Sequence, residues 1–411
     1  MKALFTLTIG PVKSFVENGH KMRDLYAGSS ILSDLTSRTI NELEKHNDIE
    51  VVFPPKAQCK HQFGETNVPN RLVVKIKDYN EEKYQNLGED LIHHIKKEFK
   101  KICQQSLGKV SGEVDLKLAC NQLKQFLEIY WLIEPYSDTD DDKYGDAYSR
   151  MIAKMNAIKG IRPFQQTAEP EGRKCMLHSE YNGIFVKDIK GEKLPFNTND
   201  KHIIRLQNEG KFKFDIKNKE ALSAIAFVKR MYLGENSKFE SVRDMVFENT
   251  LTLKTGDATY FEREIRNNEI FQDEGMKDLG TNVTHLTNAI YDIWDGDINY
   301  DDPNREFEYP KEIRDVAIGL RGDLKNRYLE LKKFKLQQYY AIIKFDGDGM
   351  GTKYGELKDE EIHKVLSDEI CEFAKCARKI INLAGGICIY AGGEDVLAVV
   401  TLQNGNYSAQ K

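Results

Sequence analysis

The sequence predicts an α+β protein with two domains of ferredoxin-like plan, or palm domains, separated by a loop-rich insert and a helical domain. Three observations lead to this fold class. Short apolar strand-like runs lie near both ends of the 411-residue chain. Each end repeats the order strand, helix, strand, strand, and helical periodicity fills much of the middle. The ends share no convincing identity, so we expect a pseudo-duplicated pair of palms.

The N-terminal end supplies the first unit. Its periodicity predicts a strand at 3–9, a helical region at 12–45 broken near Gly28, strands at 50–53 and 70–77, and a helix at 80–105. The C-terminal end supplies the second unit. It predicts a strand at 337–345, a helix at 359–386 that ends at a glycine pair, and a hairpin of strands 387–390 and 396–400.

These elements divide the chain into four predicted regions. They are a first, non-catalytic palm (1–135), a loop-rich insert (136–216), a helical domain (217–335) and a catalytic second palm with a GGED hairpin (336–411). A palm would add a final helix and strand after the hairpin. We therefore expect the second palm to be truncated.

Composition narrows the class of protein. Sixty basic and 65 acidic residues give a net charge of −5, so any nucleic-acid contact is expected to be local or indirect. We find no signal segment and no window of ~18 apolar residues, which predicts a cytoplasmic protein without a membrane partner. The seven cysteines form no C-x-x-C pair, as is typical of reduced, mostly buried thiols.

The segment "DGDGMG" (346–351) directly follows a predicted strand. An EF-hand calcium loop also begins Asp-x-Asp, but Met350 and Leu357 occupy positions that need oxygen ligands, which excludes that interpretation. A simple Asp-Gly turn that caps the next helix is the structural alternative. It would leave the acids without a chemical role.

The C-terminal hairpin favours a chemical role. In a strand–helix–hairpin unit, the end of the first strand and the hairpin turn lie side by side, so Asp346, Glu394 and Asp395 are expected to converge. Carboxylates in this arrangement bind Mg²⁺ or Mn²⁺, with nucleotide phosphates completing the coordination. The three acids are therefore the predicted catalytic and metal-binding residues of a nucleotidyl transfer site.

The neighbouring glycines fit a nucleotide. Gly347, Gly349 and Gly351 would let the backbone approach a triphosphate, and Gly392 and Gly393 would keep the hairpin tip clear for substrate. Asp348 belongs to the same predicted binding loop, where it shapes the turn. The first palm has "TIGPV" at the corresponding strand end and no paired acids, so we expect it to bind rather than to catalyse.

Five segments resemble a known family in sequence and order: "IGPVKSFVENGHKMRDLYAGSSILSDL" (9–35), "VPNRLVVKI" (68–76), "GRKCMLHSEYNGIFV" (172–186), "KFDGDGMG" (344–351) and "YAGGEDVLAVV" (390–400). The family is the large palm/cyclase subunit of type III CRISPR effector complexes, in the Cmr (III-B) branch. The resemblance implies two nucleotide-cyclase-like palms that bind ATP between them. It also implies other Cmr-type subunits, a guide RNA and a target RNA as partners.

The resemblance carries over to individual residues. Asp346 and Asp348 match the family's D-x-D-x-M-G pattern, and Gly392, Gly393 and Asp395 match its G-G-D-D hairpin. Glu394 departs from the Asp that the family usually has, and its extra methylene changes the reach of the carboxylate.

Two larger departures concern metals. Many members begin with an HD nuclease domain, whereas this chain starts at the first palm and has no His-Asp dipeptide, so we expect no DNA cleavage. Members also carry zinc on two C-x-x-C pairs, but here only Cys175 and His178 are present, so the resemblance implies that the insert (136–216) is a degenerate zinc-finger-like region. Structural zinc normally has four ligands. Zinc is therefore not expected, and a buried thiol beside a surface imidazole is the alternative.

The leading functional hypothesis is an ATP-using, target-RNA-activated subunit that makes cyclic oligoadenylate. Transfer of AMP from ATP to S-adenosylmethionine is a second possible chemistry. A catalytically degenerate scaffold subunit and a free-standing diguanylate-cyclase-like enzyme are further alternatives. The long inserts and the "RDLYAGSS" segment (23–30) argue against the free-standing enzyme.

Overall fold

The structure is a computed structural model that describes residues 1–55, 68–108, 116–137, 139, 142–161, 169, 172–187, 204–206, 216, 220–233, 241–255, 263, 267–268, 279–294, 309, 311–327, 339–357 and 359–402. It contains α-helices and mainly antiparallel sheets, which confirms the predicted α+β class. In the described part of the chain, no helix is long and apolar enough to cross a membrane.

The N-terminal sheet has four antiparallel strands in the order β2-β3-β1-β4. They are β1 (Lys2–Gly10), β2 (Ile49–Phe53), β3 (Arg71–Ile76) and β4 (Glu128–Tyr136). The first three were predicted within one residue at each end. Strand β4 was not predicted, because its alternating "EIYWLIEPY" lies next to the expected domain boundary.

Helices cover both faces of this sheet. The first five are α1 (Lys13–Glu17), α2 (Met22–Leu43), α3 (Glu81–Tyr84), α4 (Leu87–Leu107) and α5 (Leu116–Lys124). Alternate residues of a strand point to opposite faces. Phe5 and Leu7 accordingly join the core that includes residues of α2 and α4, whereas Leu4 joins a second core with Tyr148 and Met151.

The second core depends on α6 (Tyr144–Gly160), which packs against β4. This 17-residue helix lies inside the region predicted as a loop-rich insert, and the sequence interpretation missed it. The acidic and polar residues that precede it suggested a loop, and they obscured the apolar face of Ala147, Tyr148, Met151 and Met155.

The predicted helix break near Gly28 is wrong. The chain breaks earlier, at 18–21, and Gly28 lies within α2. A Cβ atom at position 28 would approach Cε of Lys229 and the carbonyl oxygen of Phe15 to 3.0 Å. The glycine therefore permits close packing and does not end the helix.

Between positions 172 and 338, the described residues form a small sheet and four helices. The sheet, in the order β6-β5-β7, comprises β5 (Phe185–Lys187), β6 (Ile204–Leu206) and β7 (Ala221–Leu222). The helices are α7 (Ala224–Tyr232), α8 (Val242–Thr255), α9 (Leu279–Trp294) and α10 (Lys311–Arg327). They agree with the helical character predicted for 217–335.

A buried ion-pair network ties α7 to α2. Arg230 donates to Asp24 at 2.5 and 2.8 Å and to Glu220 at 3.1 and 3.0 Å. Although burial disfavours the charge, the two carboxylates raise the pKa of Arg230 above its ordinary value. The Asp24 of the "RDLYAGSS" segment is thus a structural residue that fixes the helical region to the N-terminal core.

The C-terminal sheet is antiparallel in the order β8-β10-β9. Its elements are β8 (Tyr340–Phe345), α11 (Met350–Gly355), α12 (Glu360–Leu383), β9 (Ile387–Gly392) and β10 (Asp395–Thr401). Asp359 caps the N-terminus of α12, because its side chain accepts a hydrogen bond from the Glu361 N–H at 2.7 Å. The helix packs against β9 and β10. This is the predicted strand–helix–hairpin order. Both hairpin strands are longer than predicted: β9 continues through Gly392, and β10 runs from Asp395 to Thr401.

Candidate functional site

Two carboxylates face each other beside the turn of the C-terminal hairpin. Phe345 at the end of β8 pairs with Val396 of β10 in antiparallel register, which places the next residue of each strand, Asp346 and Asp395, opposite one another. Asp346 is exposed and Asp395 is half-buried. The predicted convergence of these two residues therefore follows directly from the strand register.

Neighbouring carboxylates crowd Asp395 and change its electrostatic surroundings. Burial, a hydrogen bond shared with Asp346 and the negative charges of Glu394 and Asp346 raise the pKa of Asp395 to about 6, and the positive charge of Lys344 opposes the shift. A divalent cation between the two carboxylates would relieve their repulsion. Carboxylate oxygens are also the donors that Mg²⁺ and Mn²⁺ prefer, so the donor chemistry fits such an ion.

Glu394 sits at the hairpin turn, and its surroundings differ from those of the two aspartates. Besides burial, the charge of Glu394 contributes to raising the pKa values of Tyr148, Tyr354 and Tyr390. Its side chain therefore lies within electrostatic range of three tyrosines. Among the residues that the structure describes, no group of three or more His, Cys, Asp or Glu side chains could hold a metal ion. The geometry thus brings together the Asp346–Asp395 pair without a three-carboxylate cluster.

The predicted binding glycines lie around these acids. Gly347 packs on the hairpin, where a Cβ atom would come within 2.6 Å of the Glu394 Cβ. Gly393 has a φ of 66° and permits the tight turn. The remaining predicted residues are placed as follows: Asp348 and Gly349 in the exposed turn after β8, Gly351 in α11, and Gly392 at the end of β9 with its carbonyl accepting from the Tyr390 hydroxyl at 2.8 Å.

The two large sheets are joined by an intersheet seam, which comprises Tyr144, Tyr148, Tyr354 and His363 together with the ion pairs Lys75–Glu360 and Lys364–Glu50. The Tyr144 hydroxyl lies 2.6 Å from Nδ1 of His363. The rings of Tyr148 and Tyr354 have centroids 4.6 and 5.2 Å from the His363 ring. The seam places α6 and the N-terminal sheet directly against the domain that carries the hairpin.

We expect the seam to weaken in acid because of His363. Burial and the nearby Arg71 lower the pKa of His363 to about 4 from an ordinary value of 6.5. The unfolded chain therefore binds more protons between these values, and stability falls as the pH falls through this range. Between pH 7 and pH 5 the His363 contribution to the free energy of unfolding should decrease by about 2 kcal/mol.

The measurement is chemical denaturation of wild-type protein and His363→Gln at both pH values. The glutamine retains hydrogen-bonding capacity but does not titrate, so the pH-dependent loss should shrink by about 2 kcal/mol. The exposed His93→Gln is the matched control and should keep the wild-type pH dependence. An unchanged pH dependence in His363→Gln would contradict the assignment.

The sequence interpretation missed the residues that the N-terminal side brings to the hairpin. Arg71 begins β3 opposite Thr8, near the C-terminal end of β1, and its Nη2 donates to the Tyr148 hydroxyl at 2.8 Å. Lys344, beside the carboxylate pair, contacts Glu17 of α1 at 3.3 Å. Arg71 lies in the "VPNRLVVKI" segment, but no local sequence pattern connects this residue with the hairpin at the other end of the chain.

Cys175 and His178, the remnants of a predicted zinc-finger-like region, are both buried. The expected surface imidazole is therefore wrong. The His178 ring packs against Phe15 and Phe126, with centroids 6.5 and 6.4 Å apart, and burial together with Lys229 lowers the pKa of His178 to about 4. These contacts place both side chains in an apolar core.

Comparison with known proteins identifies two parts of the chain. Residues 339–410 match the family "Cas10/Cmr2, second palm domain", and residues 4–104 match "CRISPR-associated protein Cmr2, N-terminal". The hairpin and its carboxylates therefore belong to a palm domain of the Cas10/Cmr2 class. The match to the N-terminal region does not itself describe a palm, and the two-palm arrangement stays a prediction.

A relative that aligns with nearly the whole chain is also a Cmr2 subunit. The "CRISPR system Cmr subunit Cmr2" of Pyrococcus furiosus is 21% identical over 487 aligned residues, covering 97% of this chain and 53% of the relative. The chain thus spans about half the length of this curated relative. The matches to both regions confirm the predicted resemblance to Cmr2 proteins.

Solved structures share its fold. The type III-B Cmr-beta complex in its apo state contains a chain that matches with a TM-score of 0.54 and 13% identity, covering 98% of this chain and 60% of that one. A Cmr-beta complex bound to cognate target RNA matches with a TM-score of 0.52 and 12% identity, with coverages of 98% and 61%.

Proposed function

We propose that this protein is a metal-dependent nucleotidyltransferase that uses ATP to make a signalling nucleotide within an RNA-guided type III CRISPR complex. The observation that supports this proposal most directly is the Asp346–Asp395 pair beside the glycine-rich turn of a Cas10/Cmr2-type palm. Cyclic oligoadenylate is the proposed product. Other Cmr-type subunits, guide RNA and target RNA are the proposed partners.

In this mechanism Asp346 and Asp395 would hold Mg²⁺ or Mn²⁺, and substrate phosphate oxygens would supply further ligands. Bound metal supplies charge stabilisation for the phosphoryl group under attack. The chain's own contribution is to fix the two carboxylates through the β8–β10 register, to let the turn after β8 pack on the hairpin at Gly347, and to leave space at Gly393 for the nucleotide. Glu394, close to three tyrosines, would set the shape of the pocket.

The departure at Glu394 supports a second candidate product. A glutamate keeps the charge of an aspartate but extends it by one methylene, which alters where an acceptor can lie relative to the α-phosphate of ATP. Transfer of AMP to S-adenosylmethionine is therefore the alternative chemistry. A scaffold without catalysis is the third candidate, and ATP turnover separates it from both enzymes.

We expect the chain, assembled with Cmr-type partner subunits and guide RNA, to convert ATP to cyclic adenylates when matching target RNA is added. The net charge of −5 gives the chain no general attraction to RNA, so partner subunits would sense the target and shift this subunit to its active state. Mass spectrometry of products formed with and without target RNA, and with and without S-adenosylmethionine, measures this.

The outcomes separate the candidates. Cyclic adenylates under both S-adenosylmethionine conditions exclude the conjugate, and an AMP-bearing adduct only in its presence replaces the proposed product. Absence of every ATP-derived product would leave the scaffold interpretation. Strong activity of the isolated chain that does not respond to target RNA would contradict the proposed place in a complex.

A further inference from the structure

Helix α4 carries a run of basic residues on the face opposite its buried one. Leu91, Ile95 and Phe99 are buried, and the helix packs on α2, α7 and β4. With about 3.6 residues per turn, five exposed residues fall within an arc of about 100° on the other side. We call them the α4 basic ridge: His93, Lys96, Lys97, Lys100 and Gln104. At a rise of about 1.5 Å per residue, the ridge is about 16 Å long.

The three lysines of the ridge have no counterion. Among the residues that the structure describes, no carboxylate pairs with Lys96, Lys97 or Lys100. In contrast, Lys101 beside the ridge pairs with Glu98 at 2.5 Å. The ridge therefore keeps an unbalanced positive charge on the surface of the N-terminal domain.

Helix stability does not account for these lysines. Positive charge is favoured in the last turn of a helix, but the last turn of α4 contains no basic residue. Side chains four positions apart are neighbours on a helix, and like charges at that spacing are destabilising. Lys96 and Lys100 form such a pair. A bound anion would remove their repulsion.

The residue types of the ridge favour a nucleic-acid backbone over a protein as its partner. The core of a protein–protein interface is rich in aromatic and apolar side chains, and the ridge has none. Ammonium groups on flexible stems can follow several phosphates of one strand, and the Gln104 amide is a further donor to phosphate or sugar oxygens. Contacts of this kind carry no sequence information.

We propose that the α4 basic ridge binds the phosphate backbone of RNA, whatever the RNA sequence. This inference goes beyond the proposed function, in which partner subunits sense the target, because it gives this chain an RNA contact of its own. Lys96, Lys97 and Lys100 would each contact one phosphate and release the counterions condensed there. The net charge of −5 over the whole chain does not oppose such a contact, since salt screens distant charges.

The test is the salt dependence of RNA binding by the full chain. Fluorescence anisotropy with a labelled 12-nucleotide oligouridylate, in chelator and without ATP, excludes any contribution from metal or adenine. Three contacts to a single strand predict that log Ka falls with log salt at a slope of about −2, or about −0.7 per phosphate. Replacing one lysine of the three by Gln should lower the slope by about 0.7 and raise the Kd about fivefold at 0.1 M salt. The triple glutamine variant should raise the Kd about 100-fold.

Two triple variants are the controls. The triple arginine variant of the same lysines keeps the charge and should bind with the wild-type slope. A matched set of three Lys→Gln changes on α10 and α12 alters the net charge equally and should leave the Kd within about twofold, since salt screens charges away from the strand. Its positions are exposed: Lys311, Lys375 and Lys379. All variants should show wild-type thermal unfolding, because surface substitutions of this kind change stability little.

Several results would overturn the proposal. They are no oligouridylate binding by the wild type, or equal weakening by the ridge variant and the matched set. Wild-type RNA affinity in the triple glutamine variant, together with failure to assemble with Cmr-type subunits, would instead assign the ridge to a protein interface. The assay contains neither ATP nor metal, so a chain that never turns over ATP can still bind RNA through the ridge. Failure of the enzymatic proposal and failure of this inference are therefore distinguishable.

Discussion

Asp346→Asn and Asp395→Asn are each expected to lower ATP-dependent nucleotidyl transfer by ~10²-fold or more, as when other electrostatic stabilisers of a transition state are removed. Each substitution takes one formal charge from the facing carboxylate pair with little change of volume. Product formation by the assembled complex in saturating Mg²⁺ or Mn²⁺ measures the effect.

A matched substitution and a stability measurement complete this experiment. Asp368→Asn changes the same side chain on the exposed face of α12 and should retain wild-type activity. Neutralising Asp346 or Asp395 should not destabilise the fold, since burial and carboxylate crowding already disfavour the charged form of Asp395. Full turnover by both variants would show that these residues do not form the metal site.

Arg230→Met should cause the largest loss of stability, about 3–5 kcal/mol in the free energy of unfolding. Arg230, Asp24 and Glu220 are almost completely buried, so removing the guanidinium leaves two carboxylates in the core without their main counterion. Denaturation by guanidinium chloride, monitored by circular dichroism, measures the change.

Two comparisons test whether the buried ion-pair network causes this loss of stability. Arg38→Met removes an arginine that is 44% exposed and pairs with Asp34 and Glu98, so water can replace part of its contacts and it should cost less than Arg230→Met. Combining Arg230→Met with Asp24→Asn and Glu220→Gln removes the uncompensated charges and should restore part of the lost stability. If Arg230→Met alone were as stable as Arg38→Met, the buried network would not be the tie between α2 and α7 that its geometry indicates.

The elements that sequence predicted well are those whose pattern is local. Helix α12 has a capping Asp359 and a long apolar periodicity, and the hairpin has a glycine pair at its tip, so both could be located from neighbouring residues alone. The meeting of Asp346 and Asp395 then follows from the topology of a three-element unit. Short-range rules were enough for this half of the site.

The other half of the candidate site depends on tertiary contacts that no local sequence pattern indicates. Arg71 is an ordinary cation at a strand start, and it meets Tyr148 only once α6 packs on the N-terminal sheet. His363 lies in a helix whose pattern would accept many residues, but the fold sets it against Tyr144. Gly28 similarly looks like a helix breaker until the approach of Lys229 explains it.

The Tyr144–His363 contact has a consequence for how the protein is made. The two residues are 219 positions apart in the chain, and synthesis proceeds from the N-terminus. The N-terminal sheet and α6 are therefore translated long before the segment that carries His363 and the GGED turn leaves the ribosome. Contacts between such distant segments carry the entropic cost of closing the long intervening chain. A nascent chain that ends before His363 therefore lacks the second half of the seam and also lacks the carboxylate pair at the hairpin turn.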